Sequence, residues 1–341
     1  MINWLENLDR RWIFLLMALA VGVPILIQKT LPEAPTPLAQ NTFDELDQLP
    51  AGSKVLLSFD FDPASEGELG PMATSFVNQC ARKGHKMYFM ALWPVGTQMI
   101  TQTVERVIDG YYPHLEYGTD YVDLGFKAGN EAVIKTIASD LSQYYPTDSR
   151  GTAISQIPMM SGISSLENFD ILVNVSAGYP GSKEWVLYAA TPLKKPLLVG
   201  CTGVQAPLMY PYVPNQVQGL LGAIKGAAEY EFLVNQWVEE DRLREDLESG
   251  GVDAGEAGAL AAKFEADPAQ VSTWTETAAA ASMSPEAKAE LISTATAPTP
   301  GVFTEALRRM SPQLVAHLLM IGLIIVGNIV FFVTRRRGGA A

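Results

Sequence analysis

KVLLSFDFDPASEGELGPMATSFVNQCARKGHKMYFMAL, residues 54–92, decides the fold. Residues 55–61 are a β-branched, aliphatic and aromatic run interrupted only by Ser58 and Asp60, which reads as a buried strand. Asp62 and Pro63 then turn the chain. Residues 69–82 read as a helix, Gly84 ends it, and residues 86–92 read as a second strand. Strand, helix and strand at this spacing form a βαβ unit, whose crossover is right-handed.

The same alternation continues outward from this unit. Residues 97–108 read as a helix, 121–126 as a strand, 130–144 as a helix and 171–176 as a strand. Residues 183–190 read as a helix, 197–201 as a strand after Pro196, and 216–237 as one long helix. The expected fold over residues 44–237 is therefore α/β: a three-layer, doubly wound, mainly parallel sheet of Rossmann or flavodoxin type. Residues 147–167, with Pro158 and two methionines, read as an irregular loop over one edge. Gly219, Gly222 and Gly226 are expected on the last helix, where they would permit a close approach.

Apolar runs stand near both ends. Residues 12–27 are apolar, preceded by Arg10 and Arg11 and followed by Lys29; Trp4, Leu8 and Gln28 could extend them toward the ~20 residues of a span. Residues 314–333 carry no charge and stop at Arg335, Arg336 and Arg337, a transmembrane signal. Two transmembrane helices are expected to flank the α/β domain: an uncleaved anchor in residues 1–29 and a helix with a basic tail in residues 312–341. The arginine bias puts both termini in the cytoplasm and residues 30–311 outside it. Ala18 and Gly22, and Gly322, Gly327 and Asn328, are candidate helix-association residues, toward each other or toward a second membrane protein or copy. Residues 30–43 read as a linker. Residues 238–311, charged at first and then rich in Ala, Glu, Gly and Thr, read as short helices and flexible tether without a core of their own.

The formal net charge of −13 is uneven. Residues 1–29 carry +1 and residues 308–341 carry +5, which leaves −19 for residues 30–307. An acidic middle excludes nucleic acid and anionic lipid headgroups as its partners, since both select a basic face. Two cysteines, Cys80 and Cys201, make no disulfide framework and no CxxC; three histidines, His85, His114 and His317, make no histidine-rich metal site.

A ligand of an open parallel sheet sits at the carboxyl ends of the strands. The candidates there are Asp60 and Asp62 after the first strand, Lys127 after the third, Ser176, Gly178 and Tyr179 after the fourth, and Thr202 after the fifth. Two carboxylates one residue apart suit a divalent metal or a phosphoryl-transfer nucleophile with its acid. The plainer reading of Asp62 with Pro63 is a turn, with Glu66 and Glu68 at a helix start. The Asp60-Phe61-Asp62 pattern resembles the first motif of haloacid dehalogenase-like phosphatases, and Ser176 resembles their second. The resemblance implies a hydrolase with a divalent metal. It covers these few residues, and Cys201, Thr202, Gly203 and Val204 stand where that family carries a later acidic pair. Residues 178–182 are no nucleotide fingerprint and read as a βα turn capped by Ser182. Cys201 reads as a small buried hydrophobe.

The functional expectation is a membrane-anchored α/β binding or scaffold domain in a membrane assembly, with no complete catalytic set. The alternatives are a metal-dependent phosphoester hydrolase using Asp60 and Asp62, and a small-ligand sensor. The expected partners are the lipid bilayer and other membrane proteins or a second copy.

Overall fold

The computed structural model describes residues 9–27, 33–264, 283–289 and 302–338. Two compact units emerge: Ala34–Phe303, and Met1–Glu33 together with Thr304–Ala341. In the smaller unit, helix α1 spans Arg10–Ile27. The larger unit runs α2 (Pro37–Asp47), β1 (Lys54–Asp60), α3 (Glu66–Arg82), β2 (Lys86–Ala91), α4 (Gly96–Val104, continued by a π turn at Glu105–Asp109), β3 (Tyr121–Phe126) and α5 (Glu131–Ile137). It then runs β4 (Ile171–Ser176), α6 (Ser182–Trp185, continued by a π turn at Val186–Ala190), β5 (Leu197–Cys201), α7 (Ala206–Met209), β6 (Gly219–Gly222), α8 (Ala223–Ser249) and α9 (Ala254–Phe264). Helix α10, Glu305–Gly338, belongs to the smaller unit.

All six strands are parallel, in the order β3-β2-β1-β4-β5-β6. This is the Rossmann order rather than the flavodoxin order, and its reversal falls between β1 and β4. The central strands β1 and β4 are buried almost end to end, as a sheet covered on both faces requires. One face packs on α3, α4, α8 and α2. The other carries α5, α6 and its π turn, with Tyr88, Leu56, Val122, Trp185 and Phe169 in one continuous core. Salt bridges from Arg82 to Asp241 at 2.5 Å and Glu245 at 3.0 Å tie α3 to the outer half of α8.

Two expectations are corrected here. Residues 216–237 are not one helix: residues 219–222 form β6, a sixth strand in register with β5 from Leu198↔Gly219 to Cys201↔Gly222. Gly219 and Gly222 therefore lie in a strand, and only Gly226 lies in the helix. Residues 30–43 are not all linker: α2 begins at Pro37, a residue suited to the first helical position, and its Ala39, Thr42 and Leu46 are buried. Thr42 lies directly against Gly219.

The stretch after residue 237 also holds more structure than its composition suggests. Helix α8 continues to Ser249, and Leu243, Leu247, Val252, Leu260 and Met283 close a small second core with α9. Residues 265–282 and 290–301 of the expected tether lie outside the described residues.

In the smaller unit, α1 packs against α10. The half-buried residues are Ile13, Met17, Ala20, Val21, Gly22 and Pro24 on α1, and between 316 and 330 on α10 they are Ala316, Leu319, Gly322, Leu323 and Val330. Ala18 is exposed. A Cβ at Gly22, Gly322 or Gly327 would meet nothing within 4 Å, and the Asn328 amide donates to the Ile324 carbonyl at 2.9 Å. Of the candidate association residues, Gly22 and Gly322 are half-buried and Ala18, Gly327 and Asn328 are exposed. Among the described residues one helix, Glu305–Val333, is long and apolar enough to cross a membrane; the apolar segment Arg11–Ile27 falls short. Of the two expected spans, one is therefore seen; the 17 residues of the other rise about 26 Å against a ~30 Å hydrocarbon core. The extensions at Trp4, Leu8 and Gln28 lie outside the described residues.

Candidate functional site at the switch point

Ser58 and Asp60 are two residues apart on β1, as are Asn174 and Ser176 on β4, so each pair projects to one face of its strand. Asp60 pairs with Ser176 across the ladder. The Asp60 carboxylate is fully buried. Its Oδ1 accepts the Leu92 backbone N–H at 2.6 Å. Its Oδ2 accepts Ser58 Oγ at 2.8 Å, Asn174 Nδ2 at 2.6 Å and Trp185 Nε1 at 3.3 Å. One carboxylate thereby joins β1, the end of β2, β4 and α6 at the reversal of strand order.

The network has a direction. Ser182 Oγ donates to Asn174 Oδ1 at 2.7 Å, so the 2.8 Å contact between the two hydroxyls runs from Ser176 to Ser182. The Ser182 N–H donates back to Ser176 Oγ at 3.0 Å. Protons thus point along Ser176, Ser182 and Asn174 to Asp60. Burial raises the Asp60 pKa to about 6, against the pull of its four donors.

The other candidates belong to separate local contacts. Asp62 Oδ1 accepts the Ser65 N–H at 2.9 Å and turns the chain into α3. Lys127 Nζ lies 5.5 Å from the centre of the Tyr145 ring. Tyr145 Oη is buried without a hydrogen-bond partner among the described residues, and burial followed by the charges of Asp60 and Asp123 raises its pKa. Tyr179 Oη donates to Glu131 on α5. Gly178 lies under Trp93, whose Nε1 donates to the Pro180 carbonyl at 2.8 Å and closes the β2 loop over the β4 loop. The Thr202 carbonyl accepts the N–H groups of Gln205 and Ala206 at the start of α7. Of the candidates, Asp60 and Ser176 alone share one network.

Ser58, Asn174 and Trp185 escaped the reading of the sequence, and Ser182 entered it only as a helix cap, whereas its Oγ donates to Asn174 and Gly181 is the N-cap. The available signal was a polar side chain inside an apolar strand, Ser58 between Leu57 and Phe59 and Asn174 between Val173 and Val175; a buried polar residue carries more information than an exposed one. Cys201 is buried, and desolvation followed by Glu68 pushes its thiol up to about 12, so it is no thiolate at neutral pH.

Chemically, the arrangement is a carboxylate held by four buried donors, three on Oδ2 and one on Oδ1, and no group of three or more His, Cys, Asp or Glu able to hold a metal occurs among the described residues. Asp62, Glu66 and Glu68 stand around the start of α3, where a dinucleotide-binding fold places its pyrophosphate; their charge repels that group. An open cleft of about 240 Å³, lined by Phe61, Glu66, Thr74, Met99, Thr103 and Arg106, lies beside α3 and α4. The chain matches no protein-family model, and comparison with curated proteins and with solved structures gives no match in either.

Proposed function

We propose that this chain is a non-catalytic binding module, held at a membrane by its terminal helices, that works through the carboxyl edge of its sheet. The observation that carries this reading is the engagement of the buried Asp60 carboxylate by four donors. A metal-dependent hydrolase would have to turn that carboxylate out of four hydrogen bonds before it could ligate an ion or attack a phosphorus. A small-ligand site at the switch point would have to displace Trp93 from Gly178. The experiment is a thermal melt of the full chain with about 5 mM Mg²⁺ or Mn²⁺. No binding to the folded state means no shift beyond about 1 °C. A larger shift that Asp60→Asn abolishes would restore the hydrolase reading.

In this proposal α10 spans the bilayer, α1 completes a second span, and residues 30–311 lie outside the cytoplasm. A reporter active only outside the cytoplasm will work after Gly250 and fail after Arg337. Activity after Arg337 alone would reverse the orientation, and activity at both sites would leave α10 outside the bilayer.

A further inference from the structure

We propose that helix α8 holds a latch on the chain where it leaves the larger unit, and that this latch opens while the sheet stays folded. The larger unit begins at Ala34 and ends at Phe303. Both of its ends are bonded to α8. Thr36 Oγ1 donates to Glu229 Oε2 at 2.7 Å. Phe303 is held by Asn235, six residues and about 9 Å further along the helix. Helix α10 starts two residues after Phe303, at Glu305.

Asparagine is a poor choice for the interior of a helix, and Asn235 is only 7% exposed. A buried amide needs partners for both of its ends. Asn235 finds both in one residue: its Nδ2 donates to the Phe303 carbonyl, and its Oδ1 accepts the Phe303 N–H at 3.0 Å. The side chain stands in for a neighbouring strand and grips backbone. The Phe303 ring adds an edge-to-face contact with Tyr111, just past the π turn of α4, the ring centres 5.3 Å apart.

The two ends are held unequally. Thr36 runs straight into α2, whose Ala39, Thr42 and Leu46 are buried, so that end is anchored by the helix behind it. Phe303 is half-buried and Tyr111 is exposed. An attachment with so little buried apolar surface opens locally, at a free energy well below that of global unfolding. Water can take the place of Phe303 on the Asn235 amide, so opening exchanges hydrogen bonds rather than abandoning them. Helix α8 itself stays on the sheet, because Tyr230 donates to Gln79 of α3 and Arg82 of α3 donates to Asp241.

The test is native-state amide hydrogen exchange of the full chain in detergent micelles, read at the Phe303 N–H. In the native chain this amide should exchange roughly a hundred-fold faster than those of β1 and β4. Asn235→Leu keeps a side chain of similar size and a better helix former. It removes both hydrogen bonds and should quicken exchange at Phe303 about twenty-fold, roughly five-fold for each bond, with α2, β1 and β4 unchanged. Tyr111→Ala, at an exposed position, removes the ring contact alone and should quicken it about five-fold. An unchanged rate at Phe303 in both variants overturns the latch. So does native exchange at Phe303 as slow as in β4. Quickening of β1 and β4 in step with Phe303 overturns it too, because the contact would then belong to the global fold.

Discussion

Asp60→Ala will lower the stability of the larger unit by about 4 kcal/mol. The variant leaves the Leu92 N–H, Ser58 hydroxyl, Asn174 amide and Trp185 indole without their acceptor. Each unsatisfied buried donor costs about 1–3 kcal/mol, and partial relaxation of the loops recovers part of the sum. Asp60→Asn is no remedy despite its shape. Either orientation of its amide turns an N–H₂ toward groups that donate: Asn174 and Trp185 on one side, Leu92 on the other. Urea unfolding, followed by the near-ultraviolet signal of buried Trp185, reads both variants. A loss below about 1 kcal/mol for Asp60→Ala would mean that the network does not form.

The same carboxylate sets a pH dependence with a definite sign. Its folded pKa of about 6 lies above the ~3.9 of an unfolded aspartate, so the folded state binds the proton more tightly. The contribution is fully present below about pH 4 and is lost as the pH rises through about 6. The stability gap between the native chain and Asp60→Asn will therefore widen by about 2 kcal/mol on acidification from pH 7 to pH 4. Comparing the two proteins at each pH removes the other carboxylates from the difference.

Strands β3, β4 and β5 were legible in the sequence to the residue, because apolar runs bounded by Pro, Asp or Gly have few other solutions. Helix α5 ends at Ile137 rather than 144, since Ser139, Asp140 and Ser142 divert the backbone into side-chain hydrogen bonds. The strand order was not legible, because it depends on which edge each crossover returns to. The role of Asp60 was illegible for a related reason. An Asp-x-Asp after a strand looks the same whether it faces a metal or a set of donors. Asn174 and Trp185, which decide the matter, lie 114 and 125 residues away in sequence. Strand β6 failed for a local reason: Gly-Leu-Leu-Gly has low β propensity and runs without a loop into α8, where Ala223 takes a positive φ of 56°. Tertiary context, namely pairing with β5 and cover from α2, overrides propensity there.

Gly219→Val tests that context and should cost about 3 kcal/mol, the upper range for overpacking. A Cβ at residue 219 would lie 2.3 Å from Thr42 Oγ1 and 2.6 Å from Thr42 Cα. The hydroxyl could rotate away, but the Cα belongs to the backbone of α2, so α2 itself must lift from the sheet. Thr42→Gly will therefore fail to rescue the variant, which separates a backbone clash from a side-chain one. Amide exchange should quicken together in residues 37–47 and 219–222 while β1 and β4 keep their protection. If residues 216–237 were instead one helix, Gly219→Val would replace the poorer helix former and would stabilise the chain. Gly258→Ala supplies the contrast. Gly258 lies within α9, where a Cβ meets nothing within 4 Å, and the substitution should add up to about 1 kcal/mol. Opposite signs at these two glycines would establish that Gly219 is retained for the approach of α2 to β6.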